Sequence, residues 1–119
     1  MVRAIRGATT VESNTKSDII NETKVLLTKL IEENNLEYDD LISAIFTVTR
    51  DLDEEYPAVA ARQIGWKHVA LMCANEMEVK GSLEKCIRVL VNFNTNKKND
   101  ELKYVYLNKA KILRPDLFE

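Results

Sequence analysis

Apolar and polar positions along the chain change period several times, and each period predicts an element. Residues 2 to 11 alternate and are rich in small and β-branched types, which predicts a strand. One of its faces carries Val2, Ala4, Arg6, Ala8 and Thr10. Arg6 therefore stands between two alanines that leave room for a ligand or another chain; the plainer reading is a solvated edge arginine. From 16 to 34, Ile19, Ile20, Thr23, Leu26, Leu27, Leu30 and Ile31 recur at helical spacing, with Glu22, Lys24, Lys29, Glu32 and Glu33 opposite. This predicts an amphipathic helix of about five turns, started by Ser17-Asp18 and stopped by Asn34-Asn35. Its apolar stripe is core and its polar face solvated.

Leu41 to Thr49 is nearly continuous in apolarity, as expected of a central strand buried on both faces. After the acidic loop 50 to 55, Tyr56-Pro57 introduces a short helix from Ala58 to Ile64 that Gly65 ends. Trp66 to Cys73 reads as a third strand. From Cys73 to Phe93 the chain runs from that strand's end through a polar loop into strict alternation. Ile87, Val89, Val91 and Phe93 take one face there and Arg88 the middle of the other. Residues 94 to 100 form a polar turn. Leu102, Val105, Tyr106 and Ala110 then fit a helix, and 111 to 116 a short final strand. The sum is an α+β fold: a mixed five-stranded sheet with one long helix and short helices on one face. The other face, bearing Ala4, Ala8, Met72 and Leu90, leaves apolar area that a second copy of the chain would cover, so a homo-oligomer is expected.

Size and composition narrow the function more than the fold. At 119 residues the chain is expected to be a single domain, 1–119, of ordinary soluble composition, with 45% apolar and 30% charged residues. No apolar run approaches the ~20 residues a membrane span needs, and Arg3 and Arg6 interrupt any leader, so a mature cytoplasmic protein is expected. Seventeen basic and nineteen acidic residues give a net charge of −2 with no long block of either sign. That argues against nucleic acid and anionic membranes as partners and leaves only a local cationic pocket. With three glycines no dinucleotide fingerprint is possible, and one histidine with two cysteines does not make a zinc site. No metal and no cofactor is therefore expected. His68 and Trp66 read as structural, and Cys86 as a buried thiol.

The remaining chemistry lies in Arg6, Arg62, Arg88, Arg114, Glu76, Tyr106 and Cys73. Guanidinium forks bind carboxylates through paired hydrogen bonds, so this set suits a small anionic ligand and a reaction driven by binding and electrostatics. Glu76, on the loop before the Arg88 strand, is the carboxylate placed to share its cleft.

Four separated blocks carry a resemblance: Ile5-Arg6-Gly7-Ala8-Thr9-Thr10-Val11-Glu12; Cys73-Ala74-Asn75-Glu76-Met77 with Lys85-Cys86-Ile87-Arg88-Val89; Val105-Tyr106-Leu107 with Lys109-Ala110; and Leu113-Arg114-Pro115-Asp116-Leu117. In this order, from residue 2 to 117, the chain resembles the AroH class of monofunctional chorismate mutases. The resemblance implies a homotrimer whose sheets form a pseudo-barrel core, with active sites between neighbouring chains. It also implies the Claisen rearrangement of chorismate to prephenate, without cofactor, covalent intermediate or required proton transfer. It assigns Arg88 to the ether oxygen, where negative charge grows as the bond breaks, and Glu76 with Cys73 to the ring hydroxyl. Arg6 and Tyr106 would hold the side-chain carboxylate. Met72, Ala74 and Asn75 would line the pocket through backbone groups. Tyr56, Ala58 and Arg62 would approach from across the interface, and Leu113 with Arg114 would close over the site.

The chain departs from the family's habit at Tyr56, commonly phenylalanine, at Val59, commonly lysine, and at Leu71-Met72, commonly Val-Thr. The lost lysine removes a cation near the cleft. It is the one feature favouring a rival reading, a trimeric binding module for chorismate- or prephenate-like dianions that does not turn them over. A thiol enzyme pairing Cys73 with His68 is a third reading, and Cys73 as a plain buried thiol a fourth.

Overall fold

The structure is a computed structural model and describes residues 1–114. Five strands form one mixed sheet in the order β3-β2-β4-β1-β5. They are β1 (Val2–Thr10), β2 (Leu41–Val48), β3 (Ala70–Asn75), β4 (Cys86–Asn94) and β5 (Val105–Tyr106). β4 runs antiparallel to both β1 and β2, while β3 pairs parallel with β2 and β5 parallel with β1. The strictly alternating β4 is thus the middle strand, and its Ile87, Val89, Val91 and Phe93 are all buried.

The long helix α1 (Lys16–Asn34) packs on that face, with Ile19, Leu26, Leu27 and Leu30 fully buried. Its start lies before the expected Ser17-Asp18: Thr15 is the N-cap, and its Oγ1 accepts the Asp18 amide at 3.2 Å. Asp18 instead accepts the Ser13 amide and hydroxyl, fixing the entry. The stop falls where expected. Asn35 takes the left-handed conformation (φ 51°), and its amide and that of Leu36 donate to the carbonyls of Glu32 and Ile31. Helix and sheet approach closely at Gly7. A Cβ there would lie 3.0 Å from the methyls of Leu26 and Leu30 and 3.1 Å from the Val105 carbonyl.

Four sequence expectations are corrected. β2 lies inside the sheet, but within the single chain it is buried on one face only: Leu41, Ala44, Phe46 and Val48 point to the core, while Ile42 and Ile45 are about two-fifths exposed. A bulge between Leu41 and Ser43 shifts the alternation, and the apolar Ile42 and Ile45 on the open face make the run look continuous. β3 begins at Ala70, not Trp66. Trp66 is buried in the turn after helix α2 (Ala58–Gln63), edge-on to Tyr38. Residues 102 to 110 do not form one helix. Val105-Tyr106 is the edge strand β5, and Asn108–Leu113 is a 3-10 turn in place of the first part of a final strand; Pro115 and Asp116 lie outside the described residues. Finally, that 3-10 turn does not join the helices on their face. Its Ala110 packs with Ala8, Cys86 and Tyr106 on the opposite side of the sheet.

Candidate active site

The register of the sheet assembles the first group of side chains. Thr47, Arg88 and Ala8 are cross-strand neighbours on β2, β4 and β1, so all three point away from α1. Glu76 follows β3 by one residue, and its amide extends the parallel ladder by donating to the Val48 carbonyl at 2.8 Å. This turns its carboxylate onto the same face. Thr47 Oγ1 donates to Glu76 Oε2 at 2.6 Å, and Arg88 Nε lies 3.4 Å from the same oxygen. The pair is an ion contact rather than a hydrogen bond, since Arg88 Nε has no acceptor in line and is enclosed. The Arg88 side chain is still 41% exposed, so its accessible surface belongs to its other atoms.

The strand that carries Arg88 is anchored at its entry. Lys85 takes a left-handed conformation (φ 47°) and gives its amide to both carboxylate oxygens of Asp51. Thr49 Oγ1 donates to Asp51 and accepts the Cys86 amide. The Cys86 thiol beneath Arg88 is buried, and burial pushes its pKa up despite the neighbouring guanidinium.

Arg6 shares this face one pleat further along, diagonal to Arg88 across the β1–β4 pair. Tyr106 pairs with Ala8 and is buried against it. The guanidiniums of Arg6 and Arg114 each lie 5.6 Å from the centroid of the Tyr104 ring. Leu113 packs beside Tyr106 and Ala110. Arg88, Glu76, Arg6, Tyr106, Leu113 and Arg114 therefore occupy one side of the molecule.

Cys73 does not join them. It lies opposite Phe46 on the core-facing side of β3, where burial raises its thiol pKa while the Ala58 backbone and the Arg62 charge pull it down. A separate cleft of about 350 Å³ is lined by Tyr56, Cys73, Ala74 and Asn75 together with the acidic loop. Tyr56 is 69% exposed and Arg62 exposed. Met72 projects from the same open sheet face as Arg88, opposite Ile45 and one pleat away from Thr47. Within one chain, Cys73 and Glu76 leave β3 on opposite sides.

Sequence reasoning passed over Thr47, Asp51 and Tyr104. Thr47 was one of three hydroxyls in a mostly apolar run, at a position that faces away from the core. Tyr104 and Tyr106 are spaced by two, a strand period overlooked in favour of a helical one.

An α+β protein with a guanidinium–carboxylate pair on the open face of a mixed sheet, and further arginines gathered around it, is a fixed-charge binder of small anions. The comparisons make that class particular. The family model for chorismate mutase type I matches residues 2–117, and the chain belongs to that family. It is 46% identical over 118 residues to chorismate mutase AroH of Bacillus subtilis (strain 168), covering 98% of this chain and 93% of that protein. With chorismate mutase AroH of Thermus thermophilus the identity is 50% over 118 residues, 98% of this chain and 97% of the relative. A solved chorismate mutase from Clostridium thermocellum superposes with a TM-score of 0.91 at 58% identity, over 92% of this chain and 98% of that one.

Proposed function

We infer that the chain is a chorismate mutase that acts as a single domain and rearranges chorismate to prephenate by fixed charge. The observation that carries the reading is the Arg88–Glu76–Thr47 cluster. In the rearrangement the ether C–O bond breaks as a C–C bond forms, and negative charge gathers on the departing oxygen. A guanidinium held at that oxygen stabilises the transition state more than the ground state, which is what accelerates a step. Arg88 takes this role. Glu76, oriented by Thr47, accepts the ring hydroxyl. Arg6 and Tyr106 hold the side-chain carboxylate so that the substrate stays folded in its reactive conformer. Leu113 and Arg114 close the site.

The second group of residues fits a site shared between chains. Cys73, Ala58, Arg62 and Tyr56 face another direction from Arg88, so one chain offers two half-sites. Val2, Ile45 and Met72 on the open sheet face are 57%, 40% and 66% exposed. A trimer with three such faces turned inward into a pseudo-barrel buries them and sets one chain's Arg88 half against a neighbour's Cys73 half. Met72, Ala74 and Asn75 then meet substrate through their backbone. Among the described residues no helix is long and apolar enough to cross a membrane, in keeping with a cytoplasmic biosynthetic enzyme.

Turnover is read as loss of chorismate's diene absorbance. The wild-type chain should exceed the spontaneous rate by orders of magnitude. The variant Arg88→Ala should lose at least the few hundredfold, about 3–4 kcal/mol, that one oxyanion donor supplies, with its circular dichroism and assembly unchanged. Saturable binding without turnover in the wild type would instead select the binding-module reading, and near-normal turnover in Arg88→Ala would remove Arg88 from the ether oxygen.

A further inference from the structure

Two arginines of the proposed site, Arg6 on β1, which holds the carboxylate, and Arg114 beyond β5, which closes over it, meet at one aromatic ring. Each guanidinium carbon is 5.6 Å from the centroid of Tyr104, so the two cations are no further apart than twice that distance. A cation within about 6 Å of a ring face is attracted by its quadrupole. The ring itself is firmly placed. The buried Asn34 side chain at the end of α1 donates to the Lys103 carbonyl at 2.9 Å and accepts the Lys103 amide at 2.8 Å. Residue 104 is thus held between that clamp and the β5 pairing at Val105. Its ring lies two positions before Tyr106, on the face that Arg6 shares.

We propose that Tyr104 is a positioning residue that holds Arg6 and Arg114 together at the mouth of the site, so that the substrate's carboxylate meets a preassembled pair of guanidiniums. The proposal rests on the placement of Arg6 and Arg114 at the substrate given above. Tyr104 touches no reacting atom, so its effect falls on capture: side-chain freedom that the two arginines would otherwise lose on binding is given up beforehand.

The test is steady-state kinetics on chorismate for Tyr104→Leu, Tyr104→Phe, Arg6→Ala, Arg114→Ala and the doubles combining Tyr104→Leu with each arginine variant. Tyr104→Leu should raise KM about threefold to tenfold, the range of one or two cation–π contacts, with kcat within about twofold of wild type. Tyr104→Phe, which keeps the ring face, should restore the wild-type KM. In the Arg6→Ala or Arg114→Ala background the Tyr104→Leu effect should shrink. An unchanged KM in Tyr104→Leu, with KM raised in both arginine variants, overturns the proposal and leaves the site reading standing. Unchanged kinetics in both arginine variants overturn the site reading and the proposal together. A Tyr104→Leu effect of equal size in every background, or one that Tyr104→Phe shares, marks a merely structural tyrosine and also overturns it. Tyr104→Gln provides the same reading should the leucine variant fail to fold.

Discussion

At the scale of single residues, the Arg88–Glu76 pair depends on a hydroxyl. Thr47 donates to the same Glu76 oxygen that Arg88 approaches, so it fixes the carboxylate's orientation and leaves the other oxygen for the proposed ring hydroxyl. Thr47→Val keeps the shape and removes the donor. The variant should fold normally and lose about tenfold to a hundredfold in kcat/KM, in line with the ~1.5–3 kcal/mol of a hydrogen bond to a charged group; kinetics with a thermal melt as control will show it. Cys86 makes a prediction about pH. Burial raises its pKa above the ordinary 9.0, so the folded chain holds this proton more tightly than the unfolded one. Stability from this source is complete below pH 9 and declines as pH rises beyond it, with Cys73 acting in the same direction. Denaturant melts from pH 7 to 10.5 should therefore fall more steeply for the wild type than for Cys86→Ala. The Arg88–Glu76 pairing was readable at this scale. Arg88 stood alone on the polar side of an alternating strand, and Glu76 preceded it. What could not be read was that Cys73 and Glu76, three residues apart, leave the sheet on opposite sides, because that depends on where β3 ends and the loop begins.

At the scale of elements, β5 shows how little local pattern can carry. It is two residues long and exists through its parallel pairing with β1, by way of Gly7 and Ala8, and through the Asn34 clamp just before it. Leu102, Val105, Tyr106 and Ala110 fit a helical period by spacing alone, yet Val105 and Tyr106 point to opposite faces of the sheet. A pairing nearly a hundred residues distant in sequence outweighed a weak local preference. Asn34→Ala removes both hydrogen bonds to Lys103 and leaves that backbone unsatisfied. It should cost about 2–4 kcal/mol by denaturant melt, and amide exchange at residues 103–106 should quicken more than elsewhere. Uniform exchange across the chain would show that the clamp does not hold β5. The helix α1, by contrast, was legible nearly to the residue. The helix spans nineteen positions with one continuous apolar stripe, and its C-cap asparagine is one of the few types that enter the left-handed region cheaply.

At the scale of the whole molecule, the proposed trimer makes the open sheet face matter to activity alongside the arginines. Ile45 and Met72, paired across β2 and β3, are exposed in the single chain although the sequence around β2 reads as buried on both sides. The proposed burial of that second face between chains would reconcile the two. Ile45→Glu places a charge in the proposed trimer core and should yield a folded monomer, detected by sedimentation, with turnover lost in parallel because each site is then halved. A trimer of unchanged stability would place the interface elsewhere.

The sequence by itself determined the elements whose signals are local and long: α1 with its stop, the alternation of β4, and the small-residue strand β1 with Arg6 between alanines. Burial of a periodic stripe is favourable in whatever partner it finds, so such patterns survive ignorance of the fold. It also determined the chemical inventory, arginines and a carboxylate for a small anion. Only the tertiary structure decided the bulge that turns β2, the short strand β5, the clamp that seats Tyr104 and the division of the site residues into two groups facing different ways. Each of these follows from hydrogen bonds between distant segments, whose partners carry no signal in the neighbouring sequence.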